Sequence, residues 1–366
     1  MDEQTAAGRL AGVRRRMRAQ NLDALVIMGA ENVTYLTGFM GHDSWVLVIG
    51  RRAWLITDSR YTEQAESECV GCRIIERRGP IIEAVSGIFG RNRSVKLAGV
   101  EDTCPVATYR RLRRGVDVRL KPVAQVVEAV RRCKDPDEVA AITKAAAAAW
   151  KALNAALPQL QAGMTERHAA GILEFEMRKL RAAPSFETIM AFGPNGSRNH
   201  HQPGERRLKK NDTILIDFGA RVGGYCSDTT RCFAFGKAGR LYERVYYGVL
   251  AAQKAAIRKM RAGVKLCDVD QCARAVLEER GLPVYGHGTG HGLGLQVHET
   301  PFMSKAAKGT LRAGDVVTVE PGVYIPGKLG VRIEDDVLVT ETGCRILTQD
   351  RRFGFSSTTM PVLPGR

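Results

Sequence analysis

Apolar and polar positions change their period several times along the first third of the chain. Residues 5–20 follow the helical period with a basic polar face, whereas residues 24–29, 44–50 and 53–57 are short apolar runs typical of buried strands. The polar stretch at residues 59–68 then predicts a helix after the third strand. Strands that alternate with helices in this way predict a small α/β domain.

The pattern changes at a helix start with strong capping signals. In KDPDEVAAITKAAAAAW, Asp135 is the expected N-cap, Pro136 takes the first helical position and Glu138 the third. The alanine-rich helix that follows can pack closely against a sheet. We therefore place a junction near Cys133 and expect two domains, residues 1–133 and 134–366.

The second part of the chain predicts amphipathic helices and several strands. One helix has an apolar stripe over residues 241–260 and is expected to end at Gly263. Another has a capping pair, Asp268 and Gln271, and is expected to end at Gly281. Strand candidates lie at residues 213–220, 226–235, 316–325 and 331–340. This mixture predicts an α+β domain with a largely antiparallel sheet.

Length and composition allow two packed domains. The 366 residues are 44% hydrophobic, and no apolar run is long enough to cross a membrane. The first residues, MDEQTAAGRL, contain no apolar core of a secretory signal. Nine cysteines are scattered along the chain, and we interpret the one close pair, Cys69 and Cys72, as a coincidence of two half-buried thiols. We expect a cytoplasmic protein without membrane contact.

The net charge of +16 raises nucleic acid as a partner. Arginine-rich clusters lie at residues 14–18, 110–115 and 206–210. However, residues 1–133 contain 22 basic and 15 acidic side chains, so the excess is spread over both domains without a basic arm or interleaved aromatic residues. Nucleic-acid binding is therefore kept only as a minor hypothesis.

Two aspartates flank a glycine turn in TILIDFGARVGGYCSDTTRCF. If the turn centres on Val222 and Gly223, Asp217 and Asp228 face each other across a hairpin, with Cβ atoms roughly 4.5–5.5 Å apart. Opposed like charges are destabilising, so a cation is expected between them. The alternative is a register that differs by a residue, with both aspartates solvated at the turn. The hairpin alone leaves both interpretations open.

Two glutamates lie in the same apolar context. Glu320 ends the strand VVTV just before Pro321, and Glu334 lies among apolar residues in VRIEDDVLV. Buried acids are costly unless they are paired or bound to metal. Arg332 could pair with either glutamate, so a structural ion pair remains an alternative.

The segment HGTGHGLGLQVHETP, which begins at His287, is rich in glycine and histidine. It lacks the G-x-G-x-x-G order of a dinucleotide loop. His291 and His298, seven residues apart, can point at one site if the segment turns or runs extended. Four carboxylates and one imidazole suit two divalent ions, manganese or cobalt in particular, with zinc and iron as alternatives. Two such ions, roughly 3.5–4 Å apart, activate water and polarise a carbonyl, which is hydrolytic chemistry.

Seven motifs together resemble the pita-bread metallopeptidases, specifically the Xaa-Pro aminopeptidase (aminopeptidase P) and Xaa-Pro dipeptidase (prolidase) group. They are TDSRYTEQA, AFGPNGSRNHHQP, ILIDFGA, CSDTTR, HGTGHGLGLQVHETP, TVEPGVYI and VRIEDDVLVT, in family order. The resemblance implies a creatinase-type N-terminal α/β domain over residues 1–133. It also implies an α+β pita-bread catalytic domain over residues 134–366.

The resemblance also implies the residues of a dinuclear site. The metal ligands would be Asp217, Asp228, His291, Glu320 and Glu334. Asp228 and Glu334 would bridge the two ions, and Glu320 would also take a proton from the attacking water.

Four further residues match family positions around the substrate. His200 and His298 would face the substrate and support the carbonyl oxygen, and Tyr324 and Arg332 would line the site. The chain departs from the family at Asn199, where proline commonly precedes the first histidine.

The implied activity is hydrolysis of the N-terminal Xaa-Pro bond of peptides by a homodimer with two divalent ions per chain, manganese being the expected metal. An Xaa-Pro dipeptidase restricted to dipeptides is the main alternative, and a non-catalytic pita-bread binding protein is a further one. Creatinase-like members do without metals, methionine aminopeptidases lack the first domain, and non-catalytic relatives have lost ligands. All five ligand residues are present here.

Overall fold

The computed structural model describes residues 1–348 and 359–365. The chain divides into two compact units, Met1–Arg131 and Arg132–Arg366. No helix in the described ranges is both long enough and apolar enough to span a bilayer.

The first unit alternates helices and strands as the sequence predicts. Its helices are α1 (Glu3–Ala19), α2 (Ala30–Thr37), α3 (Thr62–Glu68), α4 (Ile81–Gly90), α5 (Val106–Gly115) and α6 (Glu128–Arg131). Its strands are β1 (Ala24–Ile27), β2 (Trp45–Ile49), β3 (Arg52–Thr57), β4 (Arg73–Glu76), β5 (Leu97–Glu101) and β6 (Arg119–Val123). They form one sheet in the order β4-β3-β2-β1-β5-β6, in which β2 runs antiparallel to both of its neighbours and the remaining pairs are parallel.

The second unit contains four α-helices and fourteen strands among its described residues. The helices are α7 (Pro136–Ala156), α8 (Glu166–Lys179), α9 (Arg240–Lys259) and α10 (Leu266–Glu279). The first strands are β7 (Ala183–Pro184), β8 (Ile189–Phe192), β9 (Thr213–Phe218), β10 (Ala220–Val222), β11 (Tyr225–Cys226), β12 (Thr229–Phe235) and β13 (Gly290–Gly292). The others are β14 (Glu299–Met303), β15 (Val316–Val319), β16 (Gly322–Ile325), β17 (Leu329–Arg332), β18 (Asp335–Val339), β19 (Cys344–Ile346) and β20 (Val362–Leu363).

The strands of the second unit pair in an almost wholly antiparallel manner. Their orders are β11-β10-β7, β20-β12-β9-β8, β14-β13-β15-β18-β19 and β16-β17. Among these pairs only β12–β20 is parallel. The predicted mixed architecture with a largely antiparallel second part is confirmed.

Alternation along β9 separates the packing face from the face that bears Asp217. Ile214, Ile216 and Phe218 belong to one buried cluster, in which the Trp150 ring of α7 meets the Phe218 ring edge-on at a centroid distance of 6.1 Å. Successive residues of a strand point to opposite faces, so Asp217 projects away from that cluster. Packing of α7 on β9 thus fixes the strand that presents the aspartate.

The predicted start of α7 is confirmed by its capping geometry. Oδ1 of Asp135 accepts from the Glu138 backbone N–H at 2.8 Å, and Oε2 of Glu138 accepts from the Asp135 N–H at 3.1 Å. This is a complete capping box with Pro136 in the first turn.

Two helix boundaries in the second unit differ from expectation. Helix α9 ends at Lys259 rather than Gly263, because the following segment is hydrogen-bonded to backbone distant in sequence: the Ala262 N–H donates to the Thr340 carbonyl at 3.1 Å. Helix α10 begins at Leu266, so Asp268 lies inside its first turn and is not the cap. A bridge between Lys265 and Thr310 fixes this start, so that tertiary pairing overrides the local signal.

The register of the aspartate hairpin also differs from expectation. Thr230, not Asp228, lies opposite Asp217, so the direct opposition of the two aspartates was wrong. Gly223 and Gly224 both have positive φ, 57° and 84°, as the two central residues of a primed hairpin turn require. The turn therefore centres one residue later than expected. The solvated alternative is wrong as well, because Asp217 and Asp228 are only 9% and 5% exposed.

Candidate active site

Three predicted ligands form a tight buried cluster. Asp228 lies just before β12, His291 lies within β13, and Glu334 joins β17 to β18. One donor atom from each residue lies within 4.8 Å of those of the other two. The antiparallel pairing of short strands thus brings together residues that are far apart in sequence.

The imidazole of His291 presents a free nitrogen to the acids. Its Nδ1 lies 3.1 Å from the Gly292 carbonyl, and since a carbonyl only accepts, Nδ1 bears the hydrogen. Its Nε2 lies 3.7 Å from Oδ2 of Asp228 and 3.5 Å from Oε1 of Glu320. Burial, followed by the nearby His298, lowers the pKa of His291 to about 4. The ring is therefore neutral at pH 7, as a metal ligand must be.

The clustered carboxyl groups resist ionisation in the absence of a cation. Burial, then the charge of Glu334, raises the pKa of Asp228 well above its usual value. Burial, then the charge of Glu320, does the same to the pKa of Glu334. Burial raises the pKa of Glu320 to about 7. Like charges held this close in a buried site require either protons or bound cations.

Asp217, the fifth predicted ligand, is turned partly toward Arg332. Its Oδ2 lies 2.5 Å from Nη2 of that arginine. Its Oδ1 is buried and has no hydrogen-bond partner among the described residues. Arg332 therefore pairs with Asp217 rather than with either glutamate that the sequence offered as its partner.

The donor set fits divalent cations. Carboxylate oxygens and one neutral imidazole nitrogen suit manganese, cobalt, zinc or iron, and Asp217, whose Oδ1 has no hydrogen-bond partner in the described part of the chain, lines the same cavity. The cluster would be strongly repulsive without positive charge, so the residues present and the expected group agree.

One cavity of about 740 Å³ collects nearly all of the residues predicted for the site. The predicted residues that line it are His200, Asp217, Asp228, His291, His298, Glu320, Arg332 and Glu334. Tyr324 does not line it but contacts Arg332, whose Nη1 donates to the Tyr324 hydroxyl at 2.9 Å.

The two predicted substrate histidines differ from their buried neighbours. His200 and His298 are exposed side chains on the cavity wall, and the His298 ring lies 4.3 Å from the His291 ring. In contrast, His201 is buried and its Nε2 lies 2.8 Å from Oε2 of Glu166. Both adjacent histidines line the cavity, but His200 is the exposed one, whereas His201 is buried and held by Glu166.

Sequence reasoning missed His287, which begins a hydrogen-bonded chain beside the site. Its Nδ1 donates to the Gly288 carbonyl at 2.7 Å, so its Nε2 accepts from the Tyr324 hydroxyl at 3.1 Å. Burial lowers the pKa of His287 to about 4 and raises that of Tyr324 to about 12. The place of His287 in the glycine-rich segment, near His291, was the sequence feature that could have indicated its role.

Thr230 was also missed. Its hydroxyl donates to Oε2 of Glu334 at 2.6 Å and accepts from Nε of Arg332 at 3.0 Å, so one side chain orients both a predicted ligand and the guanidinium beside it. Its position two residues after Asp228, on the same face of the strand, could have indicated this role.

The fold and the buried acid–imidazole site define a metal-dependent hydrolase. A model of metallopeptidase family M24 matches residues 140–341, and a model of the creatinase/prolidase N-terminal domain matches residues 9–133. The chain is 36% identical over 330 residues to the peptidase YqhT of Bacillus subtilis, covering 89% of this chain and 94% of that protein.

Solved structures of similar proteins indicate the same family. The structure of an Xaa-Pro dipeptidase from Bacillus anthracis superposes with a TM-score of 0.93 at 33% identity, covering 98% of this chain and all of that one. An X-Pro aminopeptidase from Thermotoga maritima gives 0.86 at 34% identity, covering 95% and 99%. This chain belongs to metallopeptidase family M24, with the pita-bread fold in its second unit. The resemblance inferred from the motifs, and the assignment as a hydrolase, are confirmed.

Proposed function

We propose that this protein hydrolyses the bond between the first residue and proline at the N-terminus of peptides, in the manner of an aminopeptidase P. The observation that carries the proposal is the convergence of five candidate ligands and two open histidines on one cavity. The relatives whose names state an Xaa-Pro activity support the choice of substrate.

In this proposal Asp217, Asp228, His291, Glu320 and Glu334 would hold two divalent ions. Bound ions of this kind supply Lewis acidity, which lowers the pKa of water and polarises the substrate carbonyl. Manganese is the metal we propose, on the basis of the predominance of oxygen donors.

Glu320 is the proposed general base. Its carboxylate lies on the cavity wall with Oε1 3.5 Å from Nε2 of His291, where it can accept a proton from water and release it again. The Thr318 hydroxyl, at 3.4 Å from Oε1, orients the carboxylate. The proton held at Glu320 is then available for the departing imino nitrogen of proline.

His200 and His298 are the proposed donors to the oxygen that gains charge. Both are open to the cavity, and burial lowers the pKa of His298, which favours a neutral ring with one N–H. Preoriented donors of this kind stabilise the developing negative charge. Arg332 and Tyr324 are proposed to shape the substrate pocket beside them.

The specificity for proline has a chemical reason. A bond to proline is a tertiary amide without an N–H, so a protease that recognises backbone donors gains nothing from it. A pocket that reads shape instead suits this bond, and the cavity wall includes the apolar rings of Phe186 and Phe302.

An Xaa-Pro dipeptidase is the second candidate. The strong superposition on the Bacillus anthracis enzyme of that name favours it. The cavity, at about 740 Å³, lies within the range for drug-sized ligands and so has room for a substrate longer than a dipeptide. A homodimer and a cytoplasmic location, both expected from the sequence, remain proposals.

Two measurements test the proposal. Elemental analysis of the purified protein is expected to give about two divalent ions per chain, whereas a binding protein without catalytic function would give none. Cleavage of an Xaa-Pro dipeptide is then compared with cleavage of the matching Xaa-Pro-Yaa tripeptide. A higher kcat/KM for the tripeptide supports aminopeptidase activity, turnover of the dipeptide alone supports prolidase, and turnover of neither rejects both.

A further inference from the structure

Glu166, in the first turn of α8, is fully buried, yet its carboxylate does not face the cavity. Its Oε1 accepts from the Phe192 N–H at 2.8 Å and from Nδ2 of Asn195 at 2.9 Å. Its Oε2 lies 2.8 Å from Nε2 of His201 and accepts from the Gly204 N–H at 3.1 Å.

All four donors come from one segment, residues 192–204. A buried carboxylate that loses a donor is left undersolvated, so these hydrogen bonds are costly to break individually. Because a carboxylate only accepts, Nε2 of His201 bears the shared hydrogen. Glu166 therefore holds both ends and the middle of the segment against the start of α8.

His200 lies within this segment, between two tethered neighbours. On one side the Asn199 carbonyl accepts a long hydrogen bond of 3.4 Å from Nη1 of Arg332. On the other side His201 is held by Glu166. His200 itself is exposed and lines the cavity. Its ring is therefore placed by its neighbours in the chain.

We infer that Glu166, acting through His201, is a positioning residue that fixes His200 for the reaction proposed above. The inference rests on that proposed function, because it assigns His200 a role in catalysis. A displacement of about 1 Å in a reacting group can cost about 100-fold in rate, so a tether of this kind affects kcat more than substrate binding.

His201→Phe removes the donor but keeps a ring of similar size, and His201→Gln keeps an N–H donor. We expect kcat to fall by about 10–100-fold in His201→Phe with KM changed by less than about twofold, and His201→Gln to recover most of the loss. Glu166→Gln, which keeps the shape of the side chain, is expected to have a kcat between those of His201→Phe and His201→Gln. His168→Gln, an exposed histidine on the same helix, is the matched control and should retain full activity.

A double-mutant cycle separates positioning from general destabilisation. In a His200→Ala background, His201→Phe is expected to cause no further loss of kcat, since the group that it positions is already absent. Losses that multiply would overturn the inference, as would a His201→Phe variant with unchanged kcat.

Hydrogen exchange provides a readout independent of turnover. We expect His201→Phe and Glu166→Gln to accelerate amide exchange in residues 192–204, with the rest of the protein unchanged. Unchanged exchange in this segment would show that the tether does not hold it. If the unmodified protein cleaves no Xaa-Pro peptide while exchange responds as expected, the proposed function fails but the tether stands. Normal cleavage with no response in kcat or exchange rejects the tether alone.

Discussion

Arg332 and Asp217 form a buried ion pair in which Nη2 lies 2.5 Å from Oδ2. The same guanidinium donates through Nη1 to the Tyr324 hydroxyl and through Nε to the Thr230 hydroxyl. Three differently directed hydrogen bonds require the planar fork of arginine, which a lysine ammonium on its longer, flexible stem cannot reproduce. One residue thus orients the proposed ligand Asp217, the Tyr324 hydroxyl beside the cavity and the threonine that holds Glu334.

Arg332→Lys is therefore expected to impair catalysis although it keeps the charge. Loss of one charge-assisted hydrogen bond, worth about 1.5–3 kcal/mol, predicts a decrease in kcat/KM of about 10–150-fold. Steady-state kinetics on an Xaa-Pro-Yaa peptide measure it, with Arg345→Lys, an exposed position on β19, as the control. Activity equal to the unmodified protein would mean that only the charge matters.

Asp228→Ala and Glu334→Ala are each expected to abolish turnover while the fold persists. Each change removes a proposed metal ligand. Each also relieves repulsion among buried carboxylates, so the lost charge should not lower the free energy of unfolding. Peptide hydrolysis, metal content and circular dichroism are measured together. Glu341→Ala, at an exposed position, should behave like the unmodified protein. Near-normal turnover in either variant would refute the site.

The parts of the fold predicted correctly from sequence are those with local causes. The capping box at Asp135 and Glu138 needs only adjacent residues, and it forms as expected. The start of α10 was misplaced because a bridge between Lys265 and Thr310, distant in sequence, decides it. The hairpin register was missed because the two central turn positions could have been Val222 and Gly223 or Gly223 and Gly224. Only the backbone φ values distinguish these two turns.

The acids of the site could be predicted from the sequence because charged residues inside apolar strands are conspicuous, and because the motifs around them resemble those of a known family. The contacts that support these acids could not be predicted. Thr230 and Glu334 are 104 residues apart, and Glu166 and His201 are 35 apart. Polar residues at such separations have no local pattern that shows they meet, so these contacts follow from the tertiary fold alone.

Removal of metal should destabilise the protein in a pH-dependent manner. Without ions, burial and then mutual repulsion raise the pKa values of Asp228 and Glu334, and burial raises that of Glu320 to about 7. The native state then keeps protons that the unfolded chain releases above about pH 4. Its free energy of unfolding therefore falls as pH rises from about 4 through 7.

Bound cations remove this penalty, so the gain from metal should be larger at pH 7.5 than at pH 5.5. At a metal concentration of about 100 times Kd, the gain of about 2.7 kcal/mol predicts a Tm increase of about 5–10 °C at pH 7.5. Thermal unfolding with excess chelator or excess Mn²⁺ at both pH values measures it. The Asp228→Ala variant serves as the control, with a smaller increase. A Tm that is the same with chelator and with Mn²⁺ at pH 7.5 would contradict the cation site.

Lys134 and Glu299 form a second buried ion pair, with Nζ 2.5 Å from Oε1 and side chains 1% and 7% exposed. Glu299 begins β14 directly after His298, so the pair fixes the strand that follows a proposed substrate donor. Lys134→Met would leave the carboxylate buried without its cation, which costs about 3–5 kcal/mol and predicts a Tm decrease of about 6–20 °C. Differential scanning calorimetry measures it, with the exposed Lys151→Met on α7 as the control.

Adding Glu299→Gln to Lys134→Met removes the buried negative charge, so the double variant should recover part of the lost Tm. If the double variant is no more stable than Lys134→Met, packing of the lysine stem, rather than the ion pair, accounts for the effect.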